Sequence, residues 1–194
     1  EVINRVASET GVDARMIASV VVPEQTRFFT ASRDLFKRYF EPLKILGTLS
    51  QFSLGVSGIK EGTANAIELY ANTPSSSLYP GPGMDALIAY DATQDHDSVL
   101  FSRLTDTKNH YYQYLYTALF IKEIQAQWSR AGYSADKKPE IIVTLFNIGF
   151  ARSKPNANPR TGGAPITTGG RTYTYGELGA LFYYSDELID IFPR

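Results

Sequence analysis

The sequence predicts a mainly α-helical single domain that carries one small β-hairpin. Apolar residues recur at helical spacing in most stretches. Proline and glycine punctuate those stretches near their starts and ends. The hairpin signal is separate: Pro165-Ile166-Thr167-Thr168 and Arg171-Thr172-Tyr173-Thr174-Tyr175 are β-prone runs around Gly169-Gly170. The 194 residues suit one domain over 1–194, with 153–175 as a loop and hairpin insertion.

Residues 2–9 read as a short helix with Val2, Ile3 and Val6 on one face, and Gly11 as its C-cap. Asp13 then caps a helix whose Ile17, Val20 and Val21 face a core, and Pro23 is expected to end or kink it. Ser32 is expected to cap a second amphipathic stretch through Leu35, Phe36, Tyr39 and Phe40. Pro42 would open a further one. Residues 51–60 are turn-prone, 63–70 return to helix, and 73–83 form a Pro/Ser/Gly loop. Short helices follow over 85–90 and 98–104. Thr107 would cap the longest helix, running to about Arg130 on a stripe of Tyr111, Leu115, Leu119, Ile124 and Trp128. Pro139 starts a helix that is apolar nearly all round and so belongs in the centre. Residues 176–192 close the chain as a helix with Leu178, Leu181, Phe182, Leu188 and Ile189 inward.

Composition narrows the function. A formal charge of -1 without a polybasic tract argues against nucleic acid and anionic membrane as partners. No apolar run is long enough to span a bilayer. The chain opens on Glu1 without an apolar leader, which reads as a processed or trimmed product. Cysteine is absent, which removes disulfides and thiol catalysis. His96 and His110 are the only histidines, so His-based metal cages and Ser-His-Asp triads have little to draw on. Asp95-His96-Asp97 reads as a solvated, helix-capping loop rather than a metal site.

The chemistry centres on Glu24. It follows the apolar run Met16-Ile17-Ala18-Ser19-Val20-Val21-Val22-Pro23, and burial there would favour the neutral carboxyl that a general acid needs. The plain alternative is a helix-end glutamate paired with Arg27. Asn147, in the buried helix, needs hydrogen-bond partners, either as a structural amide or as a group at a site.

Three stretches stand in order: Val12-Asp13-Ala14-Arg15-Met16-Ile17-Ala18 leading to Glu24, then Ser53-Leu54-Gly55-Val56-Ser57-Gly58-Ile59-Lys60-Glu61-Gly62-Thr63-Ala64, then Phe146-Asn147-Ile148-Gly149. This order resembles the lysozyme-like superfamily, and within it the lytic transglycosylases and goose-type muramidases. The likeness covers residues 2–150 with gaps. The context around Pro23 and Arg27 also resembles a branch of that superfamily known only as a domain of unknown function. Three features depart from the pattern: Gln25 stands where Ser is usual, Phe146 replaces Tyr, and 29–52 is long and helical.

The resemblance implies a lysozyme-like, transglycosylase-type helical domain that cleaves the β-1,4 glycan of peptidoglycan with Glu24 as acid and then base. It implies that Gln25 and Ser53 orient or line the site, and that Gly55 and Ile59 let the glycan approach the backbone. Phe146 would contact substrate, and Asn147 would support Glu24 or the N-acetyl group. Tyr173 or Tyr175 would offer a sugar a stacking face. No partner carboxylate stands out, although Asp34, Glu41 and Glu61 are near in sequence. One carboxylate suffices when the sugar's own N-acetyl group assists. No metal or cofactor is implied, and the place of action is the periplasm or the cell exterior, with an inhibitor or immunity protein unassigned. The rival expectation is a wall-binding or scaffolding module that kept the fold without catalysis, favoured by Gln25 and Phe146.

Overall fold

The structure is a computed structural model and describes residues 1–35 and 56–194. Helix α1 (Val2–Thr10) ends as expected: Gly11 takes a φ of 72°, and its N–H donates to the Ala7 carbonyl at 2.8 Å. Asp13 Oδ1 then accepts the Arg15 N–H at 2.8 Å, just as α2 (Ala14–Leu35) begins.

Pro23, expected to end or kink the helix, does not end it, and α2 runs through it. Proline leaves the Ser19 carbonyl without its helical donor. That carbonyl lies against Gly179 of the last helix, so close that a Cβ at 179 would sit 2.7 Å from it. Tertiary packing, rather than local propensity, carries the helix past the proline. Glu24 is therefore inside a helix and not at its close. Ser32, expected as an N-cap, lies within α2 as well. The face through Phe36, Tyr39 and Phe40 and the helix after Pro42 lie outside the described residues.

The middle of the chain holds α3 (Glu61–Ala71), α4 (Met84–Ile88) and α5 (His96–Thr105), with 73–83 as a loop. Asp95 caps α5 by accepting the Ser98 N–H at 2.9 Å. Helix α6 (Tyr111–Arg130) starts later than expected. Thr107 lies in a turn organised by Asp106, which accepts from the Lys108 and Asn109 N–H groups. With 20 residues, α6 is shorter than the 22-residue α2, because Pro23 failed to stop the latter. Leu115, Leu119, Ile124 and Trp128 of α6 are buried as expected, and Tyr111 is half-buried.

Helix α7 (Pro139–Ile148) is buried from Ile141 to Phe146. A 3-10 turn (Phe150–Arg152) follows, then β1 (Pro165–Thr168) pairs antiparallel with β2 (Arg171–Thr174), Ile166 opposite Tyr173. Tyr175 leaves the strand and opens α8 (Tyr175–Tyr184), because Thr174 and Glu177 form a capping box. Helix α8 packs on α7 and α2 and stops at Tyr184, well short of the expected 192. Leu181 and Leu188, expected inward, are exposed.

The chain end is held from α2. The fully buried Arg15 guanidinium donates to the carbonyls of Phe182, Tyr183, Ser185, Glu187 and Phe192. It thereby satisfies groups that a helix end leaves open. Among the described residues, no helix is long and apolar enough to cross a membrane.

Candidate active site

Glu24 is 8% exposed, and both carboxylate oxygens have partners. Oε1 accepts from Arg27 Nη2 at 2.5 Å, one turn further along α2. Oε2 accepts from the Tyr175 hydroxyl at 3.2 Å, which also lies 3.0 Å from the Val20 carbonyl. A hydroxyl has one proton, so Tyr175 shares it between the two acceptors. Burial, reinforced by the Glu24 charge, pushes the Tyr175 phenol well above its usual range. It stays a donor at any working pH.

The carboxylate also rests on the backbone of the turn at 56–58. Gly58 has a φ of 64°, and a Cβ there would lie 2.2 Å from Glu24 Oε1. Only glycine tolerates both the backbone angle and the contact. The turn is fixed by two glutamines. Gln25 Nε2 donates to the Val56 carbonyl at 2.5 Å, and the buried Gln113 accepts the Val56 N–H at 2.8 Å. Gln113 Nε2 donates onward to the Asp106 carbonyl, and Ser57 Oγ donates to the Gln113 carbonyl.

A cavity of about 280 Å³ opens beside this carboxylate. Glu24 and Arg27 line it from α2, Ser57, Gly58 and Ile59 from the turn, and Lys60 and Thr63 from the entry to α3. Phe146, Asn147, Ile148 and Gly149 close it from the end of α7, with Phe120 and Tyr175 completing the wall. The Phe120 ring lies 4.8 Å from that of Phe146. Asn147 Oδ1 accepts the Ala164 N–H at 2.8 Å, which ties the loop before the hairpin to α7.

Five residues expected at a site therefore share one cavity: Glu24, Ile59, Phe146, Asn147 and Tyr175. Of the two roles expected of Gln25, orienting or lining the site, it does not line the cavity and instead holds the turn that supports Glu24. Tyr175 offers no stacking face, because its ring is fully buried and only the hydroxyl reaches the carboxylate. Tyr173 lies in a different cleft, of about 760 Å³, with Glu140, Leu181 and Tyr184. Ser53, Gly55 and Glu41 lie outside the described residues, as does the side chain of Asp34. Glu61 sits in the first turn of α3 and does not line the cavity.

Lys60, Thr63 and Phe120 were not singled out by the sequence reading, nor was the bearing of Gly58 on Glu24. Gly58, Lys60 and Thr63 stand inside the quoted stretch, where the signal existed without a role. Phe120 carried no signal beyond a helix full of apolar residues. Among the described residues, Glu24 is the one carboxylate lining the cavity, and no three His, Asp or Glu side chains are placed to hold a metal.

Fold and cavity together define a mainly helical domain with a buried, hydrogen-bonded glutamate beside a pocket of mixed charge. Compared with known proteins, the chain matches no family model, no curated protein and no solved structure.

Proposed function

We propose that this chain cleaves the β-1,4 glycan of peptidoglycan as a lytic transglycosylase, in the periplasm or outside the cell. One observation carries the reading. Glu24, the turn and helix entry at 57–63, and Phe146-Asn147-Ile148-Gly149 are far apart in sequence yet line one cavity. Those are the three stretches in which the resemblance to lysozyme-like enzymes resides.

Glu24 protonates the leaving glycosidic oxygen while the N-acetyl carbonyl of the sugar attacks the anomeric carbon. The resulting carboxylate then takes the proton of the sugar's own 6-hydroxyl, whose oxygen displaces the acetamido oxygen. The single carboxylate among the described lining residues supports this substrate-assisted route. Tethering gives the 6-hydroxyl a high effective concentration over water. The product is a 1,6-anhydro-muramyl end, lighter by one water than a hydrolytic reducing end.

Mass spectrometry of products from purified peptidoglycan tests this directly. Glu24→Gln should keep a melting temperature close to wild type and lose at least about a hundredfold in lytic rate. Reducing ends alone would make the enzyme a hydrolase, and an unchanged rate would remove Glu24 from the mechanism. A second reading, a wall-binding module without catalysis, draws on the engagement of both Glu24 oxygens by Arg27 and Tyr175. It predicts glycan binding with no product at all.

A further inference from the structure

We infer that Gln113 is a positioning residue for Glu24: it does not line the cavity, yet its side-chain amide holds the turn on which the Glu24 carboxylate is seated. The inference rests on the glycan-cleaving reading and adds to it a residue near the start of α6.

The turn needs outside support. Gly58, whose missing Cβ leaves room for Glu24 Oε1, has a φ of 64° and the backbone freedom of a residue without a side chain. It cannot fix its own place, so the precision of the seat comes from residues 56 and 57. Val56 is held at both of its polar backbone groups. Its carbonyl accepts from Gln25 Nε2, one residue beyond Glu24 on α2, and its N–H donates to Gln113 Oε1 at 2.8 Å. Ser57 Oγ donates to the Gln113 carbonyl at 3.3 Å. Gln113 thus reaches two consecutive residues of the turn, and Gly58 is the next.

Gln113 is itself fixed. Its side chain is buried, and Nε2 donates to the Asp106 carbonyl at 2.7 Å. The Asp106 carboxylate accepts from the N–H groups of Lys108 and Asn109, which sets the turn that carries this carbonyl. With Nε2 committed to a carbonyl, Oε1 is left to face the Val56 N–H, so the amide has one workable orientation. An apolar side chain of the same length makes neither bond and takes a partner from each of those backbone groups. The two glutamines divide the work. Gln25 ties the turn to the acid's own helix, and Gln113 ties it to α6.

A general acid must meet the leaving oxygen at hydrogen-bond distance. A misplacement of about 1 Å can cost about a hundredfold in rate. Gln113 touches no substrate and acts on that distance through the turn. Its loss therefore lowers kcat and leaves in place the ground-state binding made by the lining residues.

The test measures kcat and KM of the full chain on soluble glycan strands, at a temperature where each variant is folded. Gln113→Met should lower kcat at least about tenfold while KM stays within about twofold. Gln127→Met is the control. It removes the acceptor of Ser153 Oγ, a bond of 2.6 Å on the same helix, from a residue that does not line the cavity, and should leave kcat unchanged. Gln113→Glu at about pH 5 should recover most of the rate, because a buried, protonated carboxyl offers an oxygen to Val56 and an O–H to Asp106. If Gln113→Met does not fold, Gln113→Asn, one methylene too short to span both partners, takes its place in the same comparison. An unchanged kcat overturns the proposal, as does a loss that falls on KM instead. An equal loss in Gln127→Met overturns it too. So does Gln113→Glu as slow as Gln113→Met at about pH 5, since packing rather than the two bonds would then explain the effect. A wild-type chain that releases no product sinks the glycan-cleaving reading and this role with it. Product from wild type with unchanged Gln113 variants sinks the role alone.

Discussion

The Glu24 carboxylate occupies the space that a side chain on residue 58 would need: a Cβ on Gly58 would lie 2.2 Å from Oε1. Gly58→Ala therefore strains a left-handed backbone, at about 1–2 kcal/mol, and also pushes the carboxylate off its seat. Gly11 provides the control. Its φ is 72°, and a Cβ there would meet nothing nearer than Lys122 Nζ at 4.0 Å. Both variants should lose a similar few degrees of melting temperature. Gly58→Ala alone should lose lytic rate at a temperature where both are folded. Equal rates in the two variants would dismiss the seat as irrelevant.

Arg15 joins the start of α2 to the end of the chain through five backbone carbonyls, with its guanidinium also 4.8 Å from the Phe182 ring. Arg15→Met keeps the stem and deletes every donor. The orphaned carbonyls should cost about 3 kcal/mol or more in chemical denaturation. Amide exchange should rise most over 182–192, the segment those bonds hold. A loss spread evenly over the molecule would mean that Arg15 acts through general packing instead.

The same pair of elements marks where sequence reading succeeds and fails. Helices α1 and α7 were legible because their signals are local: Gly11 closes one, Pro139 opens the other, and apolar spacing fills the interval. The hairpin followed from Gly169-Gly170 between β-prone runs. The course of α2 was not legible, since Pro23 is tolerated through contact with Gly179, far along the chain. Tyr175 reads as strand, yet the capping box at Thr174 and Glu177 turns it into the first residue of α8 and aims its hydroxyl at Glu24. Glu24, Ile59, Phe146 and Asn147, singled out by the stretches that resemble lysozyme-like enzymes, line one cavity. Tyr173 lines the other cleft together with its β2 neighbours Arg171 and Thr172, away from Glu24.

His96 links α5 to α3. Its Nε2 lies 2.6 Å from Glu68 Oε2 and its Nδ1 3.0 Å from Asp97 Oδ1, so both ring nitrogens face carboxylates and both are suited to carry protons. Hydrogen bonding to Glu68, then to Asp97, raises the His96 pKa above its ordinary 6.5. A raised folded value means that the contribution is fully present below 6.5 and is lost as pH climbs through the folded pKa. The melting-temperature advantage of wild type over His96→Gln should shrink from pH 6 to pH 9. An NMR titration of the ring should show a midpoint above 6.5 that Glu68→Gln lowers. A midpoint unmoved by Glu68→Gln would refute the link.

Glu123 is fully buried on α6, and neither carboxylate oxygen has a hydrogen-bond partner among the described residues. Burial pushes its pKa up to about 10, so the folded protein keeps it protonated at neutral pH. The unfolded chain releases that proton near 4.5. The folded value exceeds the unfolded one, so this group favours folding fully below pH 4.5 and progressively less as pH rises toward 10. At pH 7 the proton alone costs roughly 3 kcal/mol, at about 1.4 kcal/mol per pH unit. Glu123→Gln has nearly the same shape and a comparably unpartnered polar tip, but binds no proton in either state. Whatever the amide costs by burial is therefore the same at every pH. The stability difference between variant and wild type should swing in favour of the variant as pH rises from 4 to 8, by several degrees of melting temperature. A difference that stays constant across that range would mean that Glu123 ionises in the folded protein, with a counter-charge or water reaching it inside the helix bundle.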